Sequence, residues 1–329
     1  MASSAPDAGI HCLPIPTPFA VGRVNCYLIE DDPLTLLDTG PNSGKALDEL
    51  EQALAARGRR VEELERIVVS HQHMDHLGLV EILARRSGAE VWALDALAPW
   101  MAGFGKSMEA DDAFAERVMA EHGIPADVRH ALRAVSSAYR GWGARADVTH
   151  TLAEGDALRF ADRTLHVHHR PGHSPSDTVF HDRDRGLLLA ADHLIAHISS
   201  NPLITRPLGR DGDAPRPQAL VAYLDSMRVT REMDLELVLS GHGDPITDHR
   251  ALIDERFAGH ERRADKLLRL ITEEPRTAYQ LAQALWGNVA VTQAYLTLSE
   301  VLGHTDLLVN AGQVVEARDD AGVIRFEAA

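Results

Sequence analysis

Nine residues, Ser70 to Gly78 (SHQHMDHLG), constrain this chain more than any other stretch. They place His71, His73, Asp75 and His76 within six positions, directly after the apolar run Ile67-Val68-Val69. A helix would scatter those four side chains around its circumference, and a strand would send His71, His73 and Asp75 to one face and His76 to the other. An irregular loop is the backbone that can turn all four towards one point. Imidazoles and carboxylates are the usual ligands of zinc, so His-x-His-x-Asp-His points to a metal centre rather than to isolated surface histidines.

Such a centre needs further ligands, and loops that follow strands are the place to look. Three fit: PGHSPSD with His173, LLLAADH with Asp192 and LVLSGHGDP with His242, each after an apolar or alternating run. Taken singly, PGH reads equally as a plain turn and AADH as a helix cap. Asp38, in LLDTG after another apolar run, is either an acceptor that orients a ligand imidazole or the start of a turn-rich stretch. His166, His168 and His169 precede PGH on a strand-like run and read as surface or packing residues. His193 and His197 lie close enough to Asp192 to face the same pocket.

The rest of the chain supplies a scaffold for those loops. Strand-like runs IHCLPIP, VNCYLIE and LTLLDTG come first, followed by an amphipathic helix over Ser43 to Arg57, the strand RIVVS, a helix from about Leu77 and the strand EVWAL. From about Ala96 to Gly143 the text is helical and reads as an insertion. Strand signals return at TLHVHHR, TVFHD and GLLLAAD, and at LELVLSG after a helix over Gln218 to Thr230. This order suits an α/β sheet sandwich with helices outside. A long helix over Asp248 to Thr272 leads into a tail with two or three helices and a hairpin turning at DDAG, which is winged-helix texture. The expected division is a catalytic domain over 1–273, with its helical insertion at about 96–143, and a C-terminal domain over 274–329.

Taken in order, SHQHMDHLG, PGHSPSD, AADH and SGHG resemble the metallo-β-lactamase superfamily of hydrolases over about residues 10–250. The tail, through its texture and HTDLLVNAGQV, resembles the winged-helix appendage of a subset of them, including those similar to the mitochondrial β-lactamase-like nuclease. The resemblance implies a four-layered αβ/βα sandwich with two metals at one edge. His71, His73 and His173 would hold the first zinc, Asp75, His76 and His242 the second, and Asp192 both. Asp75 and Asp192 are then the carboxylates of the catalytic machinery. Two Zn2+ are the implied cofactors, although iron or manganese suits similar nitrogen and oxygen donors. Two such cations lower the pKa of a shared water, so hydroxide becomes available at neutral pH to attack a carbonyl.

Composition narrows the substrate. The chain carries 49 acidic and 33 basic residues, a formal charge of −16, which opposes partners held by phosphate neutralisation. From Arg276 onward there are three basic and six acidic residues, and 3 − 6 = −3 is the wrong sign for nucleic acid. Packing, dimer contacts or a pocket wall are the roles expected of the tail. Cys12 and Cys26 form no metal or redox motif and are expected to be buried free thiols. The first residues, MASSAPDAGI, lack a basic and an apolar signal region, and no apolar run approaches the ~18 residues of a membrane span, so a cytoplasmic location is expected. Trp100, Met101, Phe104, Tyr139 and Trp142 could form a lid over an acyl chain. The Asp192 bridge argues against a true β-lactamase, because the zinc lactamases of this superfamily generally lack that carboxylate. The expected function is hydrolysis of a small acyl thioester in the manner of glyoxalase II-like enzymes. Ester or lactone hydrolysis, phosphodiester cleavage and a non-catalytic interaction role are the alternatives.

Overall fold

The computed structural model describes residues 8–200, 202–209 and 215–329. Its first sheet has the spatial order β1 (Ile10–Ile15), β2 (Val24–Ile29), β3 (Thr35–Leu37), β4 (Arg66–Val69), β5 (Glu90–Leu94) and β6 (His150–Leu152). Pairing is antiparallel from β1 to β3 and parallel from β3 to β6. Parallel neighbours need a crossover. α1 (Gly44–Ala55) supplies one between β3 and β4, and α2 (Met74–Leu77) with α3 (Val80–Ser87) supplies the next. Ser43 caps α1 by accepting from Ala46 N at 3.0 Å, and β4 is buried at every position because both its faces are covered.

Between β5 and β6 lie α4 (Ala98–Ala102), α5 (Phe104–Glu121) and α6 (Ala126–Tyr139), the helical insertion. The second sheet has the order β11 (Leu237–Ser240), β10 (Leu187–Ala191), β9 (Thr178–Asp182), β8 (Thr164–His169) and β7 (Ala157–Arg159). α7 (Ala219–Arg231) carries the chain from β10 to its parallel neighbour β11, and α8 (His249–Glu273) follows. Alternation assigns the faces. On β8, Leu165 and Val167 are buried against the first sheet while His166 and His168 stay half-buried on the other side.

Three apolar layers hold the sandwich. Tyr27, Leu37 and Val68 of the first sheet meet Val167, Phe180 and Leu189 of the second. Outside them, Leu50, Leu54 and Leu83 of α1 and α3 cover the first sheet, and Tyr223, Met227 and Ile253 of α7 and α8 cover the second. Cys12 and Cys26 are buried and free. Among the described residues no helix is long and apolar enough to cross a membrane.

The C-terminal part comprises α9 (Ala278–Trp286), α10 (Val289–Thr292), α11 (Ala294–Asn310) and a hairpin of β12 (Val314–Arg318) and β13 (Ile324–Ala328). A reciprocal cap begins α9: Gln280 N donates to Thr277 Oγ1 at 3.1 Å and Thr277 N donates to Gln280 Oε1 at 2.9 Å. Its apolar faces do not stand alone. Leu281, Leu298, Leu302 and Phe326 share one core with Phe114, Val118 and Met119 of the inserted α5 and with Leu267 of α8.

Three local expectations are corrected. The His-x-His-x-Asp-His segment is not irregular throughout, because Asp75 and His76 sit in the single helical turn α2. The next helix begins at Val80 rather than Leu77, since Gly78 lets another segment pass: a Cβ there would lie 2.2 Å from Asn42 N and 2.4 Å from Trp142 O. β6 and β7 were not anticipated, because three-residue strands such as HTL and ALR display no usable alternation.

Candidate metal centre

Four loops converge at one edge of the sandwich. β4 ends at Val69 and delivers His71 and His73 from the loop and Asp75 and His76 from α2; β10 delivers Asp192, β11 delivers His242, and the β8–β9 connection delivers His173. One potential ligand atom from each of His71, His73, His173 and Asp192 lies within 4.8 Å of the others, and the same holds for Asp75, His76 and His242. Asp192 touches both groups. Its Oδ1 lies 3.4 Å from His76 Nε2, and its Oδ2 lies 3.5 Å from both His173 Nε2 and His242 Nε2. His73 Nδ1 is 3.1 Å from His71 Nε2 and 2.9 Å from His173 Nε2, while Asp75 Oδ2 is 3.4 Å from His242 Nε2. The structure therefore brings together all seven residues singled out in the sequence.

Three of the imidazoles have one nitrogen already committed. His76 Nδ1 donates to Asp38 Oδ2 at 2.8 Å, and His242 Nδ1 donates to the Arg23 carbonyl at 2.8 Å. His71 Nδ1 lies 2.9 Å from Ser70 Oγ, which donates to Asp38 Oδ2 at 2.7 Å. These bonds turn the Nε2 lone pairs inward, the orientation a metal requires. Asp38 is thus the orienting acceptor that one sequence reading anticipated. Asp38 and Ala191 are the non-glycine residues with positive φ among the described residues, at 59° and 44°. Both stand beside the centre, where such strain is retained for placement.

The donor set fits a cation. His76 Nε2, His242 Nε2 and Asp192 Oδ1 are buried without a hydrogen-bond partner, an arrangement that is costly unless something binds them. Gly241 leaves the room: a Cβ there would lie 2.1 Å from Asp192 Oδ1. Burial, assisted by the His76 and His73 charges, drives the His71 imidazole well below its usual range, and burial with His73 takes His173 down to about 3. His76 and His242 go the other way. Burial opposes their charge, but Asp192, Asp38 and Asp75 hold His76 well above its usual range, and Asp192 with Asp75 pushes His242 up to about 9. A cation bound among the same carboxylates would replace that positive charge.

A second group of residues, missed in the sequence, anchors the loops. Asn25 Nδ2 donates to Ser240 O at 3.0 Å and to Gly243 O at 2.9 Å, and Tyr27 OH donates to Ser240 O at 2.6 Å, pinning the His242 loop. Ser176 Oγ donates to Gln72 Oε1 at 2.7 Å, tying the His173 loop to the His71–His73 loop, and Ser174 Oγ donates to Asp177 Oδ1 at 2.7 Å, closing the His173 loop on itself. The clue was available in HSPSD, a short loop dense in side chains that bond to nearby backbone. His168 and His169 stay outside the centre, on Glu154 and on the Pro175 carbonyl. His193 does not face it either, because its Nε2 bonds to Thr230 Oγ1 of α7 at 2.8 Å.

Beside His73 opens a cavity of about 370 Å³ with a largely apolar wall. Gln72, His73 and Met74 line it from the metal loop; Trp100, Met119, Leu132 and Tyr139 from the insertion; Leu203 and Ile204 from the segment before α7; and Tyr295 from α11. The anticipated aromatic lid is therefore right only in part. Trp100 and Tyr139 reach the cavity, whereas Met101 is core and Phe104 stands behind Trp100, edge to face at 5.5 Å. Trp142 is half-buried and presents its carbonyl to Asn42 N at 2.7 Å.

Residues 20–242 match the family model of the metallo-beta-lactamase superfamily, and residues 264–329 match that of the metallo-beta-lactamase-like C-terminal domain. The chain is 35% identical over 294 residues to the probable metallo-hydrolase YqjP of Bacillus subtilis (strain 168), covering 89% of this chain and 90% of that protein. The crystal structure of the metallo-beta-lactamase family protein TTHA1429 from Thermus thermophilus superposes with a TM-score of 0.80 at 26% identity, over 98% of this chain and 99% of that one. A 58-residue stretch is 40% identical to the acyl-coenzyme A thioesterase MBLAC2 of Homo sapiens, covering 16% of this chain and 21% of that protein. From its fold, its converging ligand-type residues and these matches, the chain belongs to the metallo-β-lactamase superfamily and is a metallo-hydrolase.

Proposed function

We propose that this protein is a dinuclear zinc hydrolase whose substrate is an acyl thioester with an apolar acyl chain. The observation that carries the reading is the apolar cavity opening directly beside His73 of the metal centre. A carbonyl placed at the centre would leave its acyl chain in that cavity, where each buried methylene contributes about 0.8 kcal/mol. The 58-residue likeness to an acyl-coenzyme A thioesterase supports a thioester over an oxygen ester.

In this reading His71, His73 and His173 hold one ion, Asp75, His76 and His242 hold the other, and Asp192 serves both. Bound there, two divalent cations supply Lewis acidity and bring the pKa of water towards neutrality. The protein's own contribution is placement. Asp38 and the Arg23 carbonyl keep the imidazoles in one tautomer, Asp192 and Asp75 concentrate negative charge where cations are needed, and the cavity wall keeps water from the acyl chain. No cysteine or serine nucleophile is required, and Cys26 is unsuited to that role because burial, reinforced by Asp38, raises its thiol pKa well above the usual value.

The test is a substrate panel on zinc-loaded protein: acyl thioesters, oxygen esters, lactones, a β-lactam and a phosphodiester. The highest kcat/KM is expected on a thioester with an apolar chain. A phosphodiester in first place would overturn the proposal in favour of the nuclease reading.

A further inference from the structure

We infer that Tyr295, contributed by α11 of the C-terminal part, sets the length of acyl chain that the cavity accepts. This rests on the thioesterase reading and adds a specificity residue to it. One cavity is lined both by His73 of the metal loop and by Tyr295. A chain whose carbonyl is held at the metal centre therefore runs towards the C-terminal part.

Tyr295 is held at the far end of its side chain. Its hydroxyl donates to the Ile204 carbonyl, and one helical turn later Ser299 Oγ accepts from Ile204 N at 3.3 Å. Both backbone polar groups of Ile204 are thus gripped by the same face of α11, and Ile204 is itself part of the wall. Two residues on, Arg206 Nε donates to Asp111 Oδ1 at 2.9 Å, and Asp111 Oδ2 accepts from Trp100 Nε1 at 2.8 Å. The segment 202–206 is thereby strapped between α11 and the insertion, closing the cavity on that side.

The opposite side is adaptable. α6 has no fully buried residue, and its Val135 and Tyr139 are 47% and 44% exposed. The half-buried Met108 also lines the cavity, and methionine fills space in many shapes. A longer chain can shift these groups, but it cannot move a ring held at its hydroxyl end without breaking the bond to Ile204. The fixed ring is where length is measured.

The experiment is a series of straight-chain acyl thioesters assayed with parent, Tyr295→Ala, Tyr295→Trp and Tyr295→Phe. A second arm measures displacement of a fluorescent fatty acid by fatty acids of graded length from the same proteins without added metal. Tyr295→Ala should move the optimum to longer chains, with kcat/KM for a chain two carbons past the parent optimum rising roughly tenfold relative to the optimum itself. Tyr295→Trp should move it to shorter chains, and Tyr295→Phe, which keeps the ring but loses the bond to Ile204, should broaden the profile towards longer chains. The displacement arm should shift in the same directions. An unchanged length profile in both the Ala and the Trp variants overturns the inference, and if the Ala variant fails to fold the Trp variant decides. A parent inactive on every thioester overturns the thioesterase reading instead, and the displacement arm still judges Tyr295.

Discussion

Asp38 shows how much of a metal site lies in residues that bind no metal. Its carboxylate accepts from Ser70 N at 2.9 Å, from Ser70 Oγ and from His76 Nδ1, so one side chain aligns both ends of the metal loop. Asp38→Ala should weaken zinc binding by roughly 10- to 100-fold, as loss of such partners generally does. Competition with a chelator of known affinity would measure it, and unaltered zinc affinity would remove Asp38 from the orienting role. Asp192 has a sharper signature, since its carboxylate reaches residues of both ligand groups, His173 in one and His76 and His242 in the other. Elemental analysis of the parent should show close to two metal equivalents, and Asp192→Ala should lose most activity while remaining folded. Saturation of a fully active parent at one equivalent would refute the dinuclear reading. His71, His73, Asp75 and His76 were legible because their spacing is local and chemically unusual, whereas His173, Asp192 and His242 gained weight only together, in the order shared with a resembling family. Asn25, Tyr27 and Gln72 were not, because they act on partners about a hundred or more residues away, which no local pattern announces.

Among the elements, the long and strongly patterned ones could be read in the sequence. The helices at Gly44–Ala55 and Ala219–Arg231 and the buried strands lie where periodicity places them, whereas the three-residue strands carry too few positions for a pattern. Helix starts are visible when side chains make them. Thr277→Ala should remove the reciprocal cap of α9 and cost about 1 kcal/mol, read as a lower midpoint in denaturant unfolding. The packing of α11 on α8 adds a dependence on pH. His260 Nδ1 and His304 Nε2 meet at 3.1 Å in the buried seam between those helices. Burial, with the His304 charge and Arg263 against His260, and burial with Arg263 against His304, takes each imidazole down to about 4, while Glu300 opposes the shift and Arg256 adds to it at His260. Both values lie below the unfolded pKa of about 6.5, so as pH falls the unfolded chain takes up protons first. The contribution to stability is complete above pH ~6.5 and is lost progressively towards pH ~4, by on the order of 3 kcal/mol for each imidazole. Urea unfolding at pH 7 and pH 5 should show the drop, and His260→Leu should flatten it. Equal slopes in parent and variant would show that the pair does not titrate on unfolding.

At the scale of the whole molecule, the net charge of −16 and the acidic C-terminal part make electrostatic attraction to nucleic acid unfavourable. Anisotropy titration with duplex DNA near physiological salt should show no binding, and binding that weakens steeply with added salt would return the nuclease reading to first place. The sandwich and its appended helices could be anticipated from the order of strands and helices. The shared core of α5 with the C-terminal part could not, because apolar periodicity says which face of a helix is buried but not against what. That shared core, and the strap held by Tyr295 and Ser299, separate two kinds of inheritance. The candidate metal centre is encoded in loops between residues 70 and 242, while one wall of the cavity is encoded at the far end of the chain by Tyr295. On the proposed thioesterase reading, descendants of such a gene can drift in that distant stretch and acquire a new diet without relearning the reaction.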